Sequence, residues 1–402
     1  MQQEVTIALA GCGGYGRNYL RQLLDPPADA RIRVVGLVDP RPPAGPEADQ
    51  ALSRGWPLFK DLGEFFGATR ADLVILATPI HLHAPQTIMA LENGANVVCE
   101  KPLAATVQDA LSMTAAEKRT GKFVAIGYQS SFSPALQNLK RDIRAGVLGR
   151  PLRMKTIYLW PRPAAYYRRN NWAGALRAAD GAWILDSPVN NATAHFLHNM
   201  FYVLGSETDG AAVPVELQAE CYRANPVENY DTAILRCRTA ENVEIMFFPT
   251  HAVPANAGPI LSYEFENATV SYFSAAPNRL IARLRDGSSK DYGVPTGELR
   301  KSFWRLVESV HTGERPACGI AAASSHTLCV NGVQESVPAP VPFPEELVNR
   351  DDQGVTWVQG LMSTMIACYD QWRLPSELGG VPWASPGRII DLRNYRRFPA
   401  NN

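Results

Sequence analysis

The sequence predicts an α/β domain built on a doubly wound parallel sheet, followed by an α+β domain with a large, mostly antiparallel sheet. Short apolar runs alternate with helical stretches over residues 1–128, and a glycine-rich turn ends the first run. After residue 128, strand-like runs follow one another with one long helical segment among them. Nearly continuous apolar strands separated by helices imply a parallel sheet buried on both faces. Right-handed crossovers make such a sheet doubly wound.

Taken in order, Val5–Ala10 is apolar and stops at glycines, and Arg31–Val38, Asp72–Ala77, Asn96–Cys99 and Phe123–Gly127 supply four further strands. Between them His83–Gly94 reads as helix. A second helix opens at Thr106, with Asp109 three residues on, and closes at Gly121. Ser133-Pro134 opens another that Gly146 closes, with a serine cap, proline in the first turn and glycine last. Beyond it, Met154–Trp160, Val215–Tyr222, Thr232–Arg236, Val243–Phe248 and Leu280–Leu284 read as strands, with helices expected over 188–204, 297–312 and 354–373. Val337–Pro344 carries four prolines, each without an N–H and fixed in φ, so it reads as an extended strap. The expected organisation is a first domain over 1–128, a second over 129–344, and a C-terminal extension over 345–402 that packs on the core.

At 402 residues the chain is longer than one hydrophobic core usually serves. Lys+Arg and Asp+Glu balance at 39 each, which argues against a nucleic-acid partner, since such proteins carry a basic excess. No stretch approaches the ~20 apolar residues that span a bilayer. Met1-Gln2-Gln3-Glu4 lacks the basic start of a signal peptide, and a soluble cytoplasmic enzyme is expected. The seven cysteines are scattered without C-x-x-C spacing, so neither a disulfide framework nor a zinc site is expected.

Gly11-Cys-Gly13-Gly14-Tyr15-Gly16 fits G-x-G-x-x-G between a strand and a helix, and Asp39 ends the second strand. Gly11 permits the tight turn, Gly13 admits the pyrophosphate, and Gly16 allows close packing of helix on strand. The helix N-terminus offers free N–H groups to phosphate. Asp39 would accept from the ribose hydroxyls and repel a 2′-phosphate, favouring NAD; Arg41 nearby leaves NADP open. Thr78-Pro79…His81-x-His83 and Glu100-Lys101-Pro102 follow the third and fourth strands, at the carboxyl ends where ligands bind.

With these segments the chain resembles the Gfo/Idh/MocA (glucose–fructose oxidoreductase/inositol dehydrogenase) family. Tyr128–Phe132, Pro134 and Gly146-x-x-Gly149 extend the match, which is good to about residue 150 and looser to Gly205. The resemblance implies a Rossmann domain and an NAD(P)-dependent oxidoreductase acting on a sugar, cyclitol or related polyol. It also implies cofactor contacts at Gly11–Gly16, Asp39, Thr78, Pro79, His83, Glu100, Lys101 and Gln129. Lys101 takes the family lysine's place beside the nicotinamide and the reacting carbon. A cation there stabilises a developing alkoxide, and partial burial lowers its pKa towards a useful range.

Where the family has Asp-x-x-x-His-x-x-Asp, this chain reads Asp186-Ser-Pro-Val-Asn190-Asn191-Ala-Thr-Ala-His195-Phe-Leu-His198. Counting back from Gly205 sets His195 at the family histidine and Asn191 and His198 at the aspartates. Counting forward from Asp186 sets Asn190 at the histidine. Positions 191, 195 and 198 share a face of a regular helix, which favours the first register. His195 is then the acid/base partner of Lys101. Asn191 (or Asn190) addresses substrate hydroxyls, and Asp186 either caps the helix or orients substrate and Lys101. A metal on His195 and His198 lacks an acidic third ligand and is not expected. The run Trp160–Trp172, rich in aromatics and arginines, would wall the substrate site with Trp160, Arg162, Arg169 and Trp172, joined by Tyr128; its arginines leave an acidic sugar open. The altered 186–198 segment keeps a second reading open, redox-neutral, NAD-dependent glycoside cleavage; a third, a regulator that senses nucleotide without chemistry, would be expected to lose Lys101, which this chain retains. The resemblance also implies a homodimer or homotetramer in which another subunit's sheet covers the outer face of the antiparallel sheet.

Overall fold

The apolar runs near the N-terminus pair as their composition requires. The structure is a computed structural model describing residues 4–41 and 43–399. Strands β1 (Val5–Ala10), β2 (Ile32–Val38), β3 (Leu58–Phe59), β4 (Leu73–Leu76), β5 (Asn96–Cys99) and β6 (Val124–Ile126) form one sheet in the order 3-2-1-4-5-6. Every neighbouring pair is parallel. Ile7 and Leu9 pack with Tyr19, Leu20 and Leu23 on one face, and Ala8, Val74 and Val97 pack with Leu91 and Met113 on the other. Burial on both faces explains why these strands read as continuous apolar runs. Strand order reverses between β1 and β4, and the loops leaving their carboxyl ends flank a crevice.

The second sheet contains β7 (Pro151–Leu159), β8 (Pro214–Arg223), β9 (Thr232–Thr239), β10 (Glu244–Thr250), β11 (Ala257–Phe265), β12 (Ala268–Phe273), β13 (Leu280–Leu284), β14 (Ser289–Gly293) and β15 (Val341–Pro342). Its order is 14-13-12-11-7-10-9-8-15; β7–β10 and β15–β8 are parallel and the other pairs antiparallel. The helix Ala194–Val203 sends Leu197, Met200 and Phe201 into the same core as Leu235, Phe247 and Tyr263 of this sheet. The helix Leu299–Thr312 returns to the first sheet, burying Phe303, Leu306 and Val307 against the Val5–Leu9 side.

The outer face of the second sheet is covered differently from the expectation. Ile157, Leu159, Tyr222, Ile234, Met246 and Phe248 pack against Val358, Leu361, Met365, Cys368 and Leu374 of the same chain. The segment supplying them contains β16 (Val348–Arg350), β17 (Thr356–Val358) and the helix Leu361–Gln371, and β18 (Ile390–Asp391) pairs with β8. Over β7–β10 the chain's own C-terminal segment therefore takes the place expected for another subunit's sheet.

Three local expectations change. The helix expected from 354 begins at Leu361, after β17 and Gly360, whose φ of +77° breaks the preceding strand. The helix expected over 188–204 is divided into a π turn, Pro188–Ala192, and an α-helix, Ala194–Val203. Ser187, not Asp186, caps it, accepting the Asn190 N–H at 3.1 Å. Finally, the helix Ile320–Ser336 has no counterpart in the sequence reading, because it is buried nearly all round and shows no apolar stripe.

Candidate functional site

The glycine turn after β1 is shaped by contacts a side chain would break. Gly11 has φ +82°, and a Cβ there would lie 2.5 Å from the Ala77 carbonyl oxygen. A Cβ on Gly16 would lie 1.8 Å from the Gly11 oxygen. Gly13 and Gly14 have nothing within 4 Å, so space lies open where a pyrophosphate would approach the main chain. Asp39 takes the Cys12 N–H at 3.0 Å and the Arg41 N–H at 3.1 Å, which fixes its carboxylate at the end of β2. Tyr15 stands 44% exposed on the loop, and the Thr78 hydroxyl donates to Gln86 at 2.7 Å. Open glycines, a helix N-terminus and an oriented carboxylate fit NAD.

Glu100 and His83 are placed behind this crevice rather than in it. Glu100 is buried, accepting from the Tyr19 hydroxyl at 2.8 Å, Gln129 at 3.2 Å and the Lys101 N–H at 3.2 Å. Burial pushes its carboxyl up to about 7, against the opposing pull of Lys101 and Tyr19. The ring nitrogens of His83 face the carbonyls of Pro102 at 2.7 Å and Thr78 at 2.9 Å. Being 1% exposed, His83 ties the loop after β4 to the loop after β5, which corrects its expected contact with cofactor. Neither Tyr19 nor this tie was read from the sequence, since their partners are distant along the chain.

The chemistry gathers around Lys101, at the carboxyl end of β5. Its Nζ donates to the main-chain oxygen and to Oδ1 of Asn191, both at 2.8 Å. The Asn191 amide nitrogen donates to Asp186 Oδ1 at 2.7 Å, and Asp186 Oδ2 accepts the Gly174 N–H at 2.6 Å. Burial lowers the Lys101 pKa, Glu100 and Asp186 oppose that, and Arg169 and then Arg162 lower it further. Burial raises the Asp186 pKa despite the nearby Arg169 guanidinium, 3.8 Å away. Leu185, just before Asp186, is buried with φ +55°, a strained position for leucine that the surrounding fold enforces.

His195 borders this group, set edge-on to Tyr128 with ring centroids 5.6 Å apart. Its Nδ1 is buried without a hydrogen-bond partner, and burial, then Lys101, brings its pKa down to about 3. His198 lies deeper, stacked on Tyr128 at 3.8 Å and 2.9 Å from the Ser131 hydroxyl. His326, absent from the sequence reading, closes the cluster at 5.7 Å from Tyr128. Tyr128 itself is 0% exposed and acts as the wall behind His195, which corrects its expected contact with substrate. Asn190 is corrected likewise. It is 0% exposed, and its amide nitrogen holds the carbonyls of Ile184 and Leu185 at 3.2 and 3.0 Å.

The expected aromatic wall is assembled around two arginines. Arg162 lies 3.3 Å from the Trp160 ring centroid and 4.4 Å from that of Tyr166, while Arg169 lies 3.7 Å from Tyr166 and 5.5 Å from Trp172. Tyr166 joins the two and was not singled out beforehand. Beside them a cavity of about 560 Å³ is lined by His81, Trp172, Arg177, Asp180 and Glu228, among others.

Residues 5–128 match the family described as "Oxidoreductase family, NAD-binding Rossmann fold". Inositol 2-dehydrogenase of Mycolicibacterium gilvum is 25% identical over 373 residues, covering 88% of this chain and 97% of that protein. The scyllo-inositol 2-dehydrogenase (NAD(+)) of Bacillus subtilis is 30% identical over 156 residues, 39% of this chain and 44% of that one. Among solved structures, the WlbA dehydrogenase of Bordetella pertussis, in complex with NADH and UDP-GlcNAcA, has a TM-score of 0.68 at 22% identity. That alignment covers 85% of this chain and 100% of the other, a likeness of fold.

Proposed function

The chain belongs to the Gfo/Idh/MocA family of oxidoreductases, and on that premise we propose that Lys101, set by Asn191 and Asp186, exchanges the hydroxyl proton of a sugar or polyol substrate. The enzyme is an NAD-dependent sugar or polyol dehydrogenase. NAD would be held by Gly11–Gly16, Asp39 and Thr78-Pro79, and when bound it accepts the hydride released from the carbinol carbon.

The observation that carries the assignment is the Lys101–Asn191–Asp186 chain. A neutral amine has two N–H bonds, and Asn191 offers two acceptors, its main-chain oxygen and Oδ1. The lone pair is then left for the substrate hydroxyl, whose O–H proton passes to Nζ as the C–H bond breaks. The resulting ammonium has a third N–H for the product oxygen, and the Asp186 carboxylate steadies its charge. His195 meets the substrate as a neutral imidazole, a hydrogen-bond partner of the reacting hydroxyl, while Lys101 holds the proton. Relatives named as dehydrogenases favour net oxidation over redox-neutral cleavage.

Lys101→Ala is expected to lower hydride transfer by about 10²–10⁴-fold, the range for removing a general acid–base. Binding of NADH, followed by its fluorescence, should change by less than threefold, about 0.65 kcal/mol. A variant that oxidises substrate at the parent rate would remove Lys101 from the reaction.

The proposed assembly is a homodimer or homotetramer. Its support is an apolar groove of about 410 Å³ between the second sheet and the helix Leu361–Gln371, bordered by Ile260, Phe273 and Ile366. Among the described residues no helix is long and apolar enough to cross a membrane, and the proposed location is the cytoplasm.

A further inference from the structure

Arg162 is the one residue of the aromatic wall whose surroundings do not account for its charge. Its guanidinium rests on Trp160 and Tyr166, and its Nε is buried without a hydrogen-bond partner. Among the described residues no carboxylate pairs with its side chain, and Tyr166, Tyr158 and Arg169 are foremost among the groups that act on its charge. Ring faces offset part of the cost of burying a cation, but they leave its N–H edge unused. Arg169 is only partly satisfied: one Nη donates to the Tyr166 carbonyl at 2.7 Å, and the nearest Asp186 oxygen is 3.8 Å away.

The carboxylates nearby are committed elsewhere: Asp180 and Glu228, which line the adjoining cavity, accept the N–H groups of Ala182 and Leu176 at 3.1 and 2.9 Å. Asp186 serves Asn191 and Gly174, and Glu100 turns inward to Tyr19 and Gln129. The substrate side therefore presents Lys101, Arg162 and Arg169, although the chain's formal net charge is zero. Resting on the dehydrogenase reading above, we propose that the substrate is a sugar acid. Its carboxylate lies on the forks of Arg162 and Arg169 while its reacting carbinol lies on Lys101. A planar carboxylate matches a guanidinium edge held flat on aromatic rings, since two parallel N–H···O bonds form at once. The C–H face of the sugar would lie along Trp172.

The test uses the full-length protein with NAD and matched substrates: D-glucose, D-glucuronate, D-gluconate, glucose 6-phosphate and glucose 6-sulfate. A carboxylate should exceed its neutral counterpart in kcat/KM by about 10- to 100-fold, the usual worth of a charge-assisted pair. The advantage should shrink with added salt. In Arg162→Gln the acid-to-neutral ratio should fall to within a few-fold of one, mainly through KM, and Arg162→Lys should lie between. Arg169→Gln gives an independent reading should Arg162→Gln lose its native melting transition. Equal turnover of acid and neutral sugars, or an unchanged ratio in both glutamine variants, would overturn the proposal. A phosphate or sulfate ester that outruns both carboxylates would overturn the sugar-acid assignment. If none of the panel reduces NAD, the dehydrogenase reading is what fails. Calorimetry of D-glucuronate against the NADH-loaded protein then decides the anion site, with binding lost in Arg162→Gln as support and no binding to either protein as refutation.

Discussion

Lys101 is held by a neutral amide that a carboxylate orients, and this arrangement makes its proton affinity sensitive to single charges nearby. Asp186 raises the Lys101 pKa, whereas Arg169 and Arg162 lower it. Oxidation needs the neutral amine, so kcat/KM should rise with pH through the Lys101 pKa and then level. Removing the Asp186 charge lowers that pKa further, and the inflection of Asp186→Asn should move to lower pH. The rate should also fall, by about 100-fold. An amide at 186 that kept its bond to Gly174 would turn an NH₂ towards Asn191, whose own amide would then have to flip and face Lys101 with nitrogen. Arg169→Gln should move the inflection the opposite way. A purely structural role would lower the rate of Asp186→Asn without moving the inflection, so the pH profile separates the two.

The glycine turn shows how one short element serves both fold and ligand, and substitutions can part the two. Gly11→Ala should destabilise the protein by about 1–3 kcal/mol, because φ is +82° and the new Cβ meets a main-chain oxygen. Gly13→Ala meets nothing, so the melting temperature of the cofactor-free protein should stay within a few degrees while NAD binds at least 10-fold more weakly. Equal loss of stability in both would contradict the assignment of Gly13. This turn, the parallel strands and the Lys101 segment were legible because each combines local composition with a fixed place in chain order. Burial of Tyr128 and Asn190 was not legible, since it depends on helices packed from elsewhere in the chain. The 188–204 stretch misled in a specific way: a regular helix was assumed, and a π turn ending at Ala192 sets Asn191 apart from His195. Asn191, expected to address substrate hydroxyls, instead bonds Lys101 through its main-chain oxygen and Oδ1, a contact the sequence did not announce. The helix Ile320–Ser336, which brings His326 to the cluster, carried no periodic signal at all because it is buried on nearly every side.

For the whole molecule, equal numbers of acidic and basic residues leave little net repulsion near neutrality, and buried titratable groups then govern how stability depends on pH. Burial holds His195 and His251 down to about 3 and His326 to about 4, and lowers His83 and His198 as well. In the unfolded chain these imidazoles titrate near 6.5, so below that pH the unfolded state binds more protons than the folded one. Their contribution to stability is thus present above 6.5 and lost as pH falls. Glu100 acts with the opposite sign. Its folded pKa of about 7 lies above its ordinary 4.5, so its contribution is present at low pH and lost as pH rises through that interval. Asp186, Asp231 and Glu117, whose carboxyl pKa burial also raises, share that sign; between pH 7 and 5 the five histidines outnumber these four carboxyls, and the melting temperature should fall on acidification across that range. His326→Gln removes one of the responsible groups and should flatten the slope by at most about 1.4 kcal/mol per pH unit. Glu100→Gln removes one of the opposing groups and should steepen it. Thermal melts of the three proteins at pH 7, 6 and 5 check both signs, and a parent melting temperature that is flat or rises on acidification would show that these histidines are not held neutral in the fold.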